Sequence, residues 1–368
     1  MSLNNIEQAF RRLAGEGKPV LKLFQGNPAA QGIRFPADVL KEAYASFAPA
    51  VYSPDPKGFQ GAREAIAAYY GGAVDPENIL LTSGTSESFL HLFSLLAKPG
   101  ENFLVPAPNY PLFDSIAAMT HVELTPYRLM EGKNWAIDIE EIKKKADRGT
   151  RGIILISPHN PTGSVATAEE IRDIVSFANS RELPIICDEV FSEFYFGEGA
   201  YPRAMHVAKP DLCFTLNGIS KMLALPGLKL SWIVASGEQQ KVRHAVEKLE
   251  LSVDTYLTAH YPIQMALPRL LQEKEFIKSY REEIARRRAL VLDILGSSPD
   301  LVFTPSQGGF FIMVRVKKIL PISEEDFVIR LMIETGVFVH PGYFYDHEDG
   351  IYFVISYSTE PEILKDGL

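Results

Sequence analysis

Apolar residues occur along the middle of the chain in short unbroken runs, each followed by polar residues or glycine and then by an amphipathic segment. Six such runs are residues 79–81, 103–105, 153–156, 185–187, 213–216 and 232–235. Strands that are apolar on both faces are typical of a mostly parallel sheet covered by helices. The alternation of these strands with helical segments therefore predicts an α/β fold.

Two of the intervening segments show the helical period clearly. Residues 86–96 and 167–180 each repeat apolar side chains every three or four positions, as one buried helix face requires. Thr167 and Glu170 have the spacing of a capping box, in which each residue bonds the backbone of the other. We therefore predict a helix over each segment, the second one starting at Thr167.

The pattern changes after residue 253, where helical stretches give way to alternating strand-like pieces at 309–314 and 352–357. We predict a large domain over residues 40–253, with a mostly parallel sheet flanked by helices. Residues 1–39 and 254–368 together are expected to form a smaller α+β domain.

Composition narrows the possible partners and compartments. The 368 residues carry a formal net charge of −9, which argues against nucleic acid and anionic membranes as partners. There is no apolar leader and no apolar run of about 18 residues, so we expect a cytoplasmic protein that does not span a membrane. The two cysteines lie in apolar runs and are predicted to be buried thiols. The histidines lack the His-Glu-x-x-His spacing, so no metal site is predicted.

Polar residues cluster where several of the predicted strands end. These residues are 83–86, 160–163, 188–189 and 220–221. Each short motif alone also suits an ordinary turn or helix cap. In open α/β sheets, however, ligands bind beyond the carboxyl ends of the strands, so the four motifs together predict one binding site.

In this order and spacing, the motifs resemble those of the class I/II aminotransferase family, fold-type I enzymes that use pyridoxal 5′-phosphate (PLP). The most specific pieces are residues 157–163, 188–189 and 220–221, the last followed by 225–230. The likeness extends from residue 26 to residue 357. It implies a fold-type I PLP-dependent transferase with a large domain and a smaller one.

The resemblance implies a role for each motif. Lys221 would hold the cofactor as a Schiff base and move a proton during catalysis, which requires a lysine that is neutral part of the time. Asp188 would pair with the pyridine nitrogen, and Asn160 would bind the phenolic oxygen of the ring. Further cofactor contacts are implied for Gly84, Thr85, Ser86, Tyr110, Ser220, Lys229 and Tyr52.

Two of these implied contacts have wider consequences. Gly84, Thr85 and Ser86 lie where a predicted strand gives way to a helix, and the N–H groups and dipole at a helix start favour a phosphate. Tyr52 resembles a tyrosine that reaches the partner subunit's phosphate, which implies a homodimer with a shared active site. Residues 340–343 are also expected to approach the cofactor, because glycine permits close approach of the backbone.

The chain departs from the family pattern at three positions. Lys229 and Phe191 stand where an arginine and a tyrosine are usual. Val354 stands where the family usually has the arginine that binds the substrate α-carboxylate. Since a buried carboxylate without a partner is costly, another cation could serve, the carboxylate could bind elsewhere, or the substrate could lack one. Arg34 is the candidate substitute, and Gly26 is a second candidate substrate contact.

The function predicted first is transfer of an amino group between an amino acid and a 2-oxo acid through a Schiff base on Lys221. Carbon–sulfur lyases of the same fold resemble residues 158–161 and 187–189, so PLP-dependent β-elimination is an alternative. A PLP-binding protein with little turnover is a second alternative, motivated by the missing arginine. The aromatic residues Tyr110, Phe191 and Tyr256 suggest a substrate with an apolar or aromatic side chain.

Overall fold

A computed structural model describes residues 4–45, 47, 54–257, 259–318 and 321–368. The strands are β1 (Leu21–Lys22), β2 (Ile79–Thr82), β3 (Asn102–Ala107), β4 (Glu123–Met130), β5 (Ala136–Ile137), β6 (Thr150–Ile156), β7 (Ile185–Asp188), β8 (Leu212–Gly218), β9 (Ser231–Gly237), β10 (Leu301–Phe303), β11 (Phe311–Val316), β12 (Val337–Phe338), β13 (His340–Pro341) and β14 (Tyr352–Ser356).

The helices are α1 (Asn5–Gly15), α2 (Ala37–Ala45), α3 (Gln60–Tyr69), α4 (Thr85–Leu96), α5 (Phe113–Thr120), α6 (Ile139–Lys145), α7 (Ala168–Ser180), α8 (Ala204–Val207), α9 (Ile219–Met222), α10 (Gln239–Tyr256), α11 (Tyr261–Leu270), α12 (Lys274–Gly296), α13 (Glu324–Thr335) and α14 (Pro361–Gly367). In the part of the chain that is described, no helix is both long and apolar enough to cross a bilayer.

Eight strands form one large sheet in the order β2-β9-β8-β7-β6-β3-β4-β5. The neighbours from β8 to β4 are parallel, while β9 and β5 pair antiparallel with theirs. Successive residues of a strand enter different apolar cores: Ile185 packs in one cluster and Ile186 in another. This two-sided burial explains the unbroken apolar runs and confirms the predicted α/β fold.

A second sheet is antiparallel and has the order β10-β11-β14-β13. Strand β1, near the N-terminus, pairs in parallel with β12, so the two ends of the chain share structure. The smaller α+β part is therefore confirmed as a feature of the fold, while its exact boundaries at residues 39 and 254 stay a prediction.

Local signals place several elements where the sequence predicts them. Helices α4 and α7 cover the two segments with helical period, and Thr167 and Glu170 form the reciprocal capping box at the start of α7. The two cysteines are buried free thiols. The parallel strands β6, β7 and β8 end at residues 156, 188 and 218, so the polar residues that follow them meet at one edge of the sheet.

Candidate active site

A cavity of about 470 Å³ lies at this carboxyl edge, between the large sheet and residues of β11 and β13. It brings together residues from sequence positions as distant as 24 and 345. The predicted site residues that line it are Gly26, Thr85, Ser86, Tyr110, Asn160, Asp188, Ser220 and Lys221.

Lys221 lies on the short helix α9, which starts directly after β8. The chain turns into this helix at Gly218, where a Cβ atom would come within 2.3 Å of the Ser231 hydroxyl oxygen, so glycine is required. The Lys221 ammonium donates a hydrogen bond of 2.9 Å to the carbonyl oxygen of Gly26. Burial lowers the pKa of Lys221 to about 8, against an opposing effect of the Asp188 charge. An amine with this pKa is partly neutral near pH 7, as a nucleophile must be.

Asp188 is the last residue of β7 and faces the same cavity. Burial raises the pKa of its carboxyl to about 6, while a 3.1 Å hydrogen bond from the backbone N–H of Val190 and the Lys221 charge lower it. The adjacent carboxylate of Glu189 is buried and paired with Arg203 instead. Of the two consecutive acids, Asp188 is therefore the one that faces the cavity with a carboxylate.

Helix α4 begins at Thr85, after the N-cap residue Gly84. Gly84 has no side chain to cap the helix, and a Cβ added there would have no atom within 4 Å, so the space at the helix start is open. Thr85 and Ser86 in the first turn of α4 line the cavity, and so does Ser220 on α9. First-turn N–H groups with hydroxyls beside them are a suitable site for a phosphate.

Asn160 and Tyr110 complete the walls around the acid and the lysine. The Oδ1 atom of Asn160 is buried without a hydrogen-bond partner among the described residues. Burial and the nearby charge of Asp188 raise the pKa of Tyr110, whose ring lines the cavity and is partly exposed. A buried acceptor of this kind is normally satisfied, so the unpaired Oδ1 shows that the Asn160 amide is open to a ligand, whose oxygen the Nδ2–H₂ group of the same amide can bind.

These groups fit PLP. The cofactor has an aldehyde that Lys221 can capture, a basic ring nitrogen opposite a carboxylate such as Asp188, and a ring oxygen that an amide such as Asn160 can bind. Its phosphate suits the open start of helix α4. The donor set is therefore complementary to the cofactor at each of its polar groups.

Comparison with known proteins shows the family to which the chain belongs. The family model for aminotransferase class I and II matches residues 18–359. The chain belongs to this family. The glutamate–pyruvate aminotransferase AlaA of Escherichia coli K12 is 28% identical over 341 residues, which cover 90% of this chain and 84% of that protein. A tyrosine aminotransferase of Caenorhabditis elegans is 29% identical over 344 residues, covering 88% and 72%.

Solved structures agree in fold. An aminotransferase from Escherichia coli superposes with a TM-score of 0.91 at 25% identity, covering 99% of this chain and 92% of that one. The alanine aminotransferase of Pyrococcus furiosus gives a TM-score of 0.92 at 24% identity, covering 99% and 94%. The predicted fold type, PLP dependence and aminotransferase activity are thereby confirmed. The two alternatives, a carbon–sulfur lyase and a PLP-binding protein with little turnover, are not favoured.

Three residues of the aminotransferase that were predicted to form the site lie elsewhere or cannot be placed. Arg34 is exposed and does not line the cavity, because it alternates with buried Ile33 and Phe35 and therefore faces solvent. Lys229 is also exposed and outside the cavity lining, in a left-handed conformation with φ of 51°. Tyr52 lies outside the described residues.

Because Arg34 faces solvent, we expect Arg34→Ala to change KM by less than about twofold for every accepted substrate. A side chain outside the cavity lining has no contact there with the substrate whose loss could raise KM. Steady-state kinetics of the loaded enzyme with a panel of amino acids would check it. A rise in KM of tenfold or more, confined to carboxylate-bearing substrates, would restore Arg34 as the clamp.

The two departures from the family pattern at positions 191 and 354 differ in where their side chains lie. Phe191 lines the cavity, its ring centre 5.9 Å from the Lys221 ammonium, so no hydroxyl is available there. Val354 is fully buried in β14. Tyr256, which was predicted to neighbour the substrate, is exposed at the end of α10 and lies outside the cavity lining.

Sequence reasoning missed several cavity residues. Most of them are aromatic or hydroxyl side chains without a motif of their own: Phe24, Phe113, Ser231, Phe311, Phe344 and Tyr345. The segment 340–343 was expected near the cofactor, and His340 does line the cavity. Gly342, however, is required for another reason, since a Cβ there would lie 2.8 Å from the Cβ of Tyr352.

Proposed function

We propose that Lys221 is the residue that carries the cofactor and moves the proton in this aminotransferase. The observation that supports it most directly is the pairing of Lys221 and Asp188 at one cavity, on the carboxyl ends of adjacent parallel strands. The partly neutral amine can capture an aldehyde. Once displaced by a substrate amine, the same Nζ would take the proton from the substrate α-carbon and would deliver it to the cofactor rather than back to that carbon, as transfer of the amino group requires.

The roles proposed for the surrounding residues follow from their positions. Asp188 keeps a proton on the ring nitrogen, so that the bound cofactor can accept electrons from the substrate carbon. Asn160 orients the ring through its oxygen, while helix α4 and Ser220 hold the phosphate. The carbonyl oxygen of Gly26, which now binds Lys221, is freed when the lysine is occupied.

We further propose that the amino donor is an amino acid with a large apolar or aromatic side chain, and that the acceptor is a 2-oxo acid. The aromatic residues that line the cavity support this choice: Phe24, Tyr110, Phe113, Phe191, Phe311, Phe344 and Tyr345. Each apolar group of a substrate that such a surface covers makes binding more favourable. A polar or acidic side chain would lose its hydration there with little compensation.

A panel of amino acids added to the PLP-loaded enzyme tests both proposals. Conversion of absorbance near ~420 nm to absorbance near ~330 nm, without any 2-oxo acid, reports transfer of the amino group to the cofactor. We expect the fastest conversion with aromatic and large aliphatic donors. Pyruvate released from cysteine or cystathionine, with no spectral conversion by any donor, would instead support the lyase.

We also propose that the enzyme is a homodimer. Three strongly exposed apolar side chains lie close together in sequence at the end of α10 and its C-cap, Leu251, Tyr256 and Leu257. Exposed apolar patches of this kind usually mark a protein interface. Light scattering should give a mass of twice that of the 41.0 kDa chain. A monomer that transaminates at full rate would contradict a shared site.

A further inference from the structure

His340 lies next to the position where an arginine would be expected. Strands β13 and β14 are antiparallel, and His340 is paired directly with Val354. Directly paired residues of neighbouring strands project from the same face of a sheet, with their Cβ atoms about 5 Å apart. Val354 is fully buried, whereas His340 lines the cavity. A side chain at 340 therefore reaches the space that an arginine at 354 would enter.

The imidazole of His340 is held in a defined orientation. It stacks on Phe24 with ring centres 3.7 Å apart and an interplanar angle of 19°. Its Nδ1 atom lies 3.2 Å from the hydroxyl of Tyr345. With that hydroxyl donating to Nδ1, the neutral ring carries its proton on Nε2. Within the described residues only Nδ1 of His340 has a hydrogen-bond partner, and Nε2 is not among the fully buried unpaired atoms, so its N–H is open to a ligand in the cavity.

Apart from Ser231, the other polar side chains of the cavity outside the C-terminal part of the chain are assigned to the cofactor, including Tyr110 as a predicted cofactor contact. Thr85, Ser86 and Ser220 are assigned to the phosphate, and Asn160 and Asp188 to the ring. Lys221 reacts with the cofactor itself. Among the described residues that line the cavity, this leaves His340, with Tyr345 behind it, as the polar group that the C-terminal part of the chain contributes.

We propose that His340 binds the α-carboxylate of the substrate through its Nε2–H, in place of an arginine. The assignment rests on the aminotransferase site proposed above. Burial, with a smaller effect of the Lys22 charge, lowers the pKa of His340 to about 4, so the imidazole is neutral before substrate binds. A neutral N–H makes one hydrogen bond where a guanidinium makes two charge-assisted ones. We therefore expect the enzyme to prefer substrates that have a carboxylate, but by less than an arginine at this place would cause.

Two variants separate the N–H from the ring. His340→Phe keeps an aromatic ring to stack on Phe24 but has no N–H. His340→Gln keeps an N–H donor but has no ring. Each is compared with the wild type on a matched pair of donors, phenylalanine and 2-phenylethylamine, which differ only in the carboxylate. The quantity measured is the ratio of kcat/KM for phenylalanine to kcat/KM for the amine. Because both rates come from one preparation, the ratio is independent of the fraction of folded enzyme.

The wild-type ratio is expected to exceed one. His340→Phe should lower it by about tenfold or more, since a hydrogen bond to a charged group is lost, and His340→Gln should keep it within about threefold. The proposal is overturned by a wild-type ratio below one, by an unchanged ratio in His340→Phe, or by loss of the ratio in His340→Gln alone. Borohydride reduction followed by mass spectrometry reports the attachment of PLP to Lys221 separately. A failure there would count against the proposed function, whereas normal attachment with an unchanged ratio counts only against His340.

Discussion

Lys221→Ala should lower kcat for amino-group transfer by about 10³-fold or more, because it removes both the nucleophile and the group that moves the proton. PLP should still bind at the start of helix α4 and against Asp188, but reduction with borohydride should no longer add its mass to the protein. Single-turnover kinetics with the best donor of the panel, together with mass spectrometry, would measure the two effects.

Lys221→Arg is the matched control for charge. An arginine keeps the cation and most of the length but does not become neutral near pH 7. We therefore expect the arginine variant to be as inactive as the alanine variant, and equally unable to attach the cofactor. Activity within tenfold of the wild type in either variant would show that another group performs the chemistry.

Lys221→Ala should also make the cofactor-free protein more stable. Burial shifts the pKa of Lys221 from 10.5 to about 8, so the folded protein binds this proton less tightly than the unfolded chain does. Such a shift destabilises the fold by about 3 kcal/mol at neutral pH. The cost is fully present below pH 8 and disappears as the pH rises to 10.5. Lys221→Ala should remove most of it, less the hydrogen bond to Gly26, and chemical denaturation at pH 7 would measure the gain.

Much of the large sheet could be predicted because its residues carry the signal locally. Both faces of the parallel strands are covered, so each strand is an unbroken apolar run such as 153–156, flanked by polar residues or glycine. The start of helix α7 is predictable from the capping box that Thr167 and Glu170 form. The place of β9 between β2 and β8 was not predictable in this way, because its neighbours are chosen by packing between distant segments.

The cavity likewise contains residues that the sequence predicts and residues that it does not. The sequence predicts that Lys221, Asp188 and Asn160 meet at one site, because each chemistry needs a particular residue type at a strand end, and the structure brings all three to one cavity. Phe24 and Tyr345 were missed because an aromatic side chain suits any apolar wall, and nothing in the sequence indicates the direction in which it faces. Arg34 was misplaced for the same reason, since its exposure depends on how the segment before α2 packs.

Asp188→Asn should lower kcat by about 10²–10³-fold while leaving attachment of PLP to Lys221 intact. The two side chains have nearly the same shape, so the change removes charge alone. Without the anion, no acidic side chain remains among the described residues that line the cavity to favour a proton on the ring nitrogen, and the cofactor would accept electrons from the substrate carbon less well. Removal of one preorganised electrostatic contact in an active site typically has an effect of this size. Single-turnover kinetics would measure it.

Glu189→Gln is the control for this prediction, because Glu189 is the neighbouring buried acid but is paired with Arg203 and does not line the cavity. It should lower stability and leave kcat per folded molecule within about threefold, since it breaks a buried ion pair whose two side chains do not line the cavity. The pH dependence gives a second, independent comparison. Asp188 in the free protein has a pKa of about 6, so below pH 6 the wild type gains a proton there and loses the charge. Affinity for PLP should then fall more steeply with acid in the wild type than in Asp188→Asn, by about tenfold for each pH unit. Parallel affinity curves for the two proteins would mean that Asp188 does not bind the ring nitrogen.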